Sequence, residues 1–223
     1  MSLKITTPVV TLRELCLDKL REAIYTGYFP SGTRLIERQL CEDLGVSRSV
    51  VREAIRYLEA EGLIEQQLNK GPIVAILNWD IASQIYAIRL QLEQSAVATC
   101  IDNLNPEVID ELLKSLKELS DSFQQDNIIE LLQASSDIYE IIFLTAGHVV
   151  AWEIVQRLNG RINRLRAMTM KSKDREMKGY LRVKRICDAI CIEKDPTLAQ
   201  KAVSEHIQEA SGVARRILEQ HQL

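Results

Sequence analysis

The sequence contains no run of 18 apolar residues, which excludes a membrane-spanning helix. No apolar h-region lies near its start, so no secretory signal is expected. Histidine is scarce, at His148, His206 and His221, and G-x-S-x-G, H-E-x-x-H and a glycine-rich phosphate loop are all missing. That inventory offers no catalytic set, and the chain reads as a non-enzyme. Five cysteines, an odd number in no tight framework, exclude a disulfide scaffold and fit a reduced, cytoplasmic protein. A net charge of -3 gives no domain-wide basic footprint, and residues 1–76 hold ten Lys+Arg against ten Asp+Glu. From Trp79 onward the alternating pattern of strands is absent and helix breakers are few.

What is present divides the chain in two. The 223 residues suffice for one large domain or two small ones. Glycine and proline concentrate before residue 78, so short elements are expected there and long helices after it. An apolar helical stripe (Val9, Leu12, Leu15, Cys16, Leu20, Ala23, Ile24) stops at Gly27. "TGYFPSGTRL" is turn chemistry. Glu37–Leu44 makes a short helix ended by Gly45, and Ser47 is expected to cap a helix running to about Glu61. "LIEQQ" and "PIVAIL" read as two short strands with a hairpin tip at "LNKG". Helix, short helix, tight turn, helix and ribbon make a winged helix-turn-helix over residues 8–77.

Arg48, Arg52 and Arg56 recur at four-residue steps opposite the apolar row Val51, Ala54, Ile55, Leu58. A solvated face with Glu partners would produce such a row. So would a recognition helix, since the major groove admits one α-helix and arginine offers guanine a bidentate fork. Ser47, Arg48 and Ser49 fall at the helix N-terminus, where base edges are met. Preceded by a Gly-Val-Ser turn and followed by a wing, the row is assigned to double-stranded DNA.

The stretch "PSGTRLIERQLCEDLGVSRSVVREAIRYLEAEGLIEQQLNKGPIVA" resembles the N-terminal domain of GntR-type bacterial transcription regulators. The resemblance implies DNA contacts by Arg38, Ser47, Arg48, Ser49 and Arg52. It also implies a wing contact at Asn69, Lys70 and Gly71, in the minor groove. Residues 80–221 carry six helical segments, near 80–102, 106–124, 127–145, 149–171, 173–193 and 195–220. In the first of them Ile81, Ile85, Ile88, Leu92 and Ala96 form the apolar stripe. "IYAIRLQLEQSAV", "DIYEIIFLTAGH" and "KDPTLAQKAVSEHI" resemble the FadR or FCD branch, whose helical domain binds effectors and dimerises. The expected fold is mainly α: a winged helix-turn-helix followed by an all-α, FCD-like bundle.

Much of that branch holds a metal in the bundle. The corresponding positions here are Ser135, Tyr139, Lys184 and His206, and a lysine brings positive charge where a cation would bind. No metal and no other cofactor is therefore expected. His206 is either a pocket residue or a core histidine. Cys187 and Cys191 are either buried small hydrophobes or soft-metal ligands. Arg89 either pairs with Glu93 on its own helix or meets the carboxylate of an organic-acid effector, the role the resemblance implies. Tyr139, Lys184 and His206 are the further effector-binding candidates. "RLNGRINRLR" reads as surface or interface charge. The expected protein is a homodimeric, effector-controlled transcription regulator, read as a repressor. A helical protein–protein adaptor is the alternative.

Overall fold

In the computed structural model, which describes residues 11–125, 127–170 and 176–220, Thr11 opens α1 (Leu12–Thr26) through a reciprocal capping box. The Thr11 hydroxyl accepts from the Glu14 N–H at 3.2 Å, and the Glu14 carboxylate accepts from the Thr11 N–H at 2.7 Å. Val9, residues 8–10 of the expected first domain, residues 171 and 173–175 of two expected helices, and His221 lie outside the described residues. Cys16, Leu20, Ile24 and Tyr25 form the buried face of α1. Leu12 and Leu15, expected in that stripe, are exposed in the helix's first two turns.

α2 (Glu37–Leu44) and α3 (Arg48–Ala60) meet at Gly45, whose φ of 65° lies in the left-handed region that an L side chain adopts only at a cost. α3 packs on α1, α2 and the first wing strand, burying Val51, Ala54, Ile55 and Leu58. One ion pair fixes its far end. Arg21 of α1 grips Glu61 with two hydrogen bonds, Nε to Oε2 at 2.9 Å and Nη2 to Oε1 at 2.6 Å. β1 (Ile64–Gln67) and β2 (Gly71–Val74) are antiparallel, with Ile64 opposite Val74. The loop before α2 adds a third edge that the sequence did not announce. Leu35 N–H bonds Pro72 C=O and Val74 N–H bonds Thr33 C=O, both at 2.9 Å.

The described residues divide into two compact units at Ile76–Leu77. In the second, asparagine starts three successive helices. Asn78, Asn105 and Asn127 accept from the backbone N–H three residues on, opening α4 (Trp79–Asp102), α5 (Pro106–Gln124) and α6 (Ile128–Thr145). α7 (Val149–Met170), α8 (Glu176–Asp188) and α9 (Pro196–Gln220) complete the bundle. α8 continues into one π-helical turn, Ala189–Glu193, which ends at Lys194 with φ 50°. α4 lies against α9, α6 and α7, while α5 packs on α6 and α8. The architecture is mainly α, a winged helix-turn-helix unit and an all-α unit.

The buried stripe of α4 is rotated from the one the apolar pattern suggested. Ala82, Ile85, Tyr86, Arg89, Glu93, Ala96, Val97 and Cys100 face inward. Ile88 is 41% exposed. An arginine and a glutamate occupy two consecutive turns of the core face, and an apolar search skips them.

Candidate functional site

At the start of α3, Ser47, Arg48 and Ser49 are all exposed. Ser47 stands at the N-cap position, but its hydroxyl does not cap the helix as the sequence suggested; it pairs with the Ser49 hydroxyl at 2.8 Å. The first N–H groups of the helix therefore keep their capacity to meet an anion. Arg48, Arg52 and Arg56 line the exposed face, opposite a stripe that is fully enclosed. Arg52 is partly engaged: its Nε reaches both oxygens of Glu37 at 3.0 and 2.8 Å, tying α3 to the start of α2. Nε is only one corner of the guanidinium, which has five N–H donors in all. Arg38 extends from α2 and stands 3.9 Å from Glu42, with 77% of its side chain exposed. Asn69 and Lys70 form the exposed tip of the hairpin, and Gly71 is the half-buried first residue of β2. Asn69 has φ 66° and Gly71 φ 77°, a turn geometry that asparagine and glycine both accept.

In the second unit a polar cluster is sealed among α4, α6 and α7. Arg89 is 1% exposed and Glu93 2%, and Arg89 Nε donates to Glu93 Oε1 at 2.7 Å. The pair is thus internal to the core. Burial opposes the Arg89 charge, and Glu93 with the Tyr139 and Tyr86 phenols together more than offset it, holding the guanidinium above its ordinary value. Tyr139 lies beneath two guanidiniums, with Arg89 5.9 Å and Arg166 5.1 Å from its ring centre. Burial, then the Glu93 carboxylate, pushes the Tyr139 phenol up. Tyr86 closes the cluster, its ring centre 5.8 Å from Arg89.

The four effector candidates are not all gathered there. Arg89 and Tyr139 belong to the cluster. Lys184 is half-exposed on α8 and gives its charge to Asp188, at 2.8 and 2.6 Å. His206 is buried on α9. Arg166 was the group that sequence reasoning missed. It is enclosed beside Tyr139, with Nη1 reaching Asn163 Oδ1 at 3.1 Å and Ser136 Oγ at 3.5 Å. A signal for it existed: Arg166 falls four residues after Ile162, on the line of Val155, Ile162 and Thr169, all buried.

The residues around Tyr139 do not fit a metal. Two guanidiniums already flank its ring, and Lys184 carries its charge to Asp188. Among the described residues no group of three or more His, Cys, Asp and Glu is placed to hold a metal ion. Asp137, two residues from Tyr139, lines a groove beside α5 and α6 with Glu118, Asp121 and Glu130, and accepts from Gln133 at 2.7 Å. Cys100, Cys187 and Cys191 are buried free thiols. Burial, then a neighbouring thiol, pushes Cys100 up to about 12, and burial, then Asp188, pushes Cys191 up to about 11.

Residues 84–209 match the FCD domain, and residues 13–74 match the bacterial regulatory proteins, gntR family. The chain is 33% identical over 126 residues to YdhC, an uncharacterized HTH-type transcriptional regulator of Bacillus subtilis; the match covers 56% of each chain. It thus spans little more than half the length of that relative. RspR of Escherichia coli, named an HTH-type transcriptional repressor, is 21% identical over 204 residues, covering 91% of this chain and 88% of its own. Among solved structures, E. coli McbR/YncC shares the fold with a TM-score of 0.73 and 21% identity, over 93% of this chain and 99% of that one.

Proposed function

The chain belongs to the gntR family of bacterial regulatory proteins and carries its FCD domain, and from that membership we propose a homodimeric, cytoplasmic repressor whose operator binding is controlled by a small organic acid. The coarser statement needs no proposal: a protein of this family is a DNA-binding transcription regulator and not an enzyme. The observation that carries the DNA-contact assignment is α3. Its exposed arginine row stands opposite a fully enclosed apolar row, just after a two-helix turn and just before a wing. That arrangement supports major-groove contacts by Ser47, Arg48, Ser49 and Arg52, a flanking contact by Arg38, and minor-groove contact by Asn69, Lys70 and Gly71. An adaptor would have no use for it.

Repression is supported by the name of the RspR relative. A dimer is supported by geometry, because two half-sites about one DNA turn apart need two recognition helices. Exposed Leu144, Val149, Val150 and Ile154 at the α6–α7 corner offer apolar surface for a second copy. Control by a carboxylate is supported by the buried cationic cluster around Tyr139. An effector bound there acts by preferring one of two dimer arrangements.

The test uses an operator fragment selected from random DNA by the purified protein. Arg48→Ala and Arg52→Ala should each weaken binding by about 1–3 kcal/mol while keeping the helical signal and melting temperature. Fluorescence anisotropy reads the affinity. Unchanged affinity in both folded variants would remove α3 from the groove.

A further inference from the structure

Of the three arginines on the exposed face of α3, Arg52 alone is held by a carboxylate of another helix among the described residues. Glu37 is the first residue of α2, and both of its oxygens meet the single Nε–H of Arg52, at 3.0 and 2.8 Å. The Glu37 side chain is 33% exposed and that of Arg52 60%, so the acceptor is the more covered partner and the donor the more open one. The contact uses one N–H of five and leaves the four on Nη1 and Nη2. Those two nitrogens form a fork that matches the O6 and N7 acceptors of guanine. As an ordinary surface pair the contact would add little to stability. A carboxylate in the first turn of α2 is favoured by the helix dipole, but that role does not need Arg52 as its partner. On a face assigned to DNA the sign is also adverse. A carboxylate there repels phosphate and cancels the attraction that Arg52 would supply.

Fixing Arg52 gives the adverse charge a use. Phosphate contacts supply affinity without sequence information, and base contacts supply the specificity. A neutralised and immobilised guanidinium is poor at the first task and suited to the second. Its stem is set by α3 and its Nε by Glu37. Its free nitrogens are thus aimed before DNA arrives, and less side-chain freedom is lost on binding. Resting on the DNA-contact reading above, we propose that Glu37 is a specificity-determining positioning residue, which sets the Arg52 guanidinium to read a guanine in the major groove. Glu37 lowers the affinity for duplex of any sequence and raises that for the operator.

The experiment uses the full-length protein, the operator fragment selected as above, and a random-sequence duplex of equal length. Fluorescence anisotropy at one salt concentration compares wild type with Glu37→Ala, Glu37→Gln, Arg52→Ala and the double variant Glu37→Ala with Arg52→Ala. Glu37→Ala should weaken operator binding by about tenfold or more, yet bind the random duplex as well as wild type or better. Glu37→Gln keeps one oxygen for Nε and should fall between wild type and Glu37→Ala. Once Arg52 is replaced, Glu37→Ala should bring no further loss on the operator, because the two side chains act as one unit. Across operator fragments with single base-pair substitutions, Glu37→Ala and Arg52→Ala should lose discrimination at the same G·C pair. Operator binding by Glu37→Ala that equals or exceeds wild type overturns the proposal, since the carboxylate would then only restrain Arg52 or repel phosphate. So does a loss that adds in full to that of Arg52→Ala. An equal loss on both duplexes also overturns it, because Glu37 would then support the fold and not the reading of a base. The arginine variants separate this proposal from the DNA-contact reading. Affinity lost in Arg48→Ala but kept in Arg52→Ala would leave α3 in the groove and remove the role of Glu37. Affinity kept in both would remove α3 from the groove and the proposal with it.

Discussion

Replacing Glu93 by glutamine should be among the most damaging single changes in the second unit, though it alters one atom. Arg89 is 1% exposed, and its carboxylate partner lies 2.7 Å away. Without the carboxylate charge the guanidinium stays enclosed beside Arg166, with a neutral amide in place of its counter-ion. Breaking a buried pair in this way costs about 3–5 kcal/mol. A domain of this size loses about 2–4 °C per kcal/mol, so the transition should fall by about 6–20 °C. The same i,i+4 spacing on a helix surface would be worth about 0.3–0.5 kcal/mol and move the midpoint by about 1–2 °C. The two cases are therefore well separated in a calorimetric melt. The double change Arg89→Met with Glu93→Leu should recover most of the loss, because apolar replacement of a buried pair is often neutral or better. A melting temperature for Glu93→Gln within about 2 °C of wild type would refute the enclosure of the pair.

Gly45→Ala should cost about 1–2 kcal/mol in a denaturant titration, from backbone strain alone, since φ is 65° and no atom lies within 4 Å of the added Cβ. Lys70→Ala at the wing tip should lower the slope of log K against log salt by about 1 while leaving sequence preference in place; an unchanged slope removes the wing from the phosphates. Iodoacetamide at pH 8 should label Cys41, the half-buried thiol, before Cys16, Cys100, Cys187 and Cys191, which are enclosed and whose thiols burial holds above their ordinary value. Mass spectrometry of timed samples gives the order, and early labelling of Cys187 would contradict the packing.

The winged unit was easy to read because its boundaries are chemical. Gly27 and Gly45 stop helices in the left-handed conformation, and α3 keeps its charged and apolar rows on opposite faces. The third edge of the wing was hidden, since Thr33–Leu35 pairs through backbone groups that side-chain patterns do not record. The Ser47 cap failed for a local reason: a second hydroxyl two residues on competes for it. In the bundle, helix lengths were legible and helix rotation was not. Arg89 and Glu93 have the spacing of a surface pair, and only the neighbouring helices decide which environment they occupy. α7 posed the harder case. Residues 162–167 are buried on all sides, so no polar face remains to orient the helix, and Arg164 and Arg166 look like solvated charge. The cluster around Tyr139 therefore includes an arginine that its residue type alone assigns to the surface, although its position falls on the buried line of Val155, Ile162 and Thr169.

The π-helical turn at Ala189–Glu193 bears on how this chain tolerates changes of length. Its i→i+5 hydrogen bonding houses one residue more than an α-turn, and Ala189, Ile190 and Cys191 are buried in succession along it. Loss of one codon within this turn lets it close as ordinary α-helix, with α8 before it and α9 after it keeping their faces toward the bundle. The same loss in the middle of α6 would turn every later residue of that helix by about 100° and carry Tyr139 away from both guanidiniums. Single-residue deletions tried one by one through the bundle should find this turn among the most permissive helical positions.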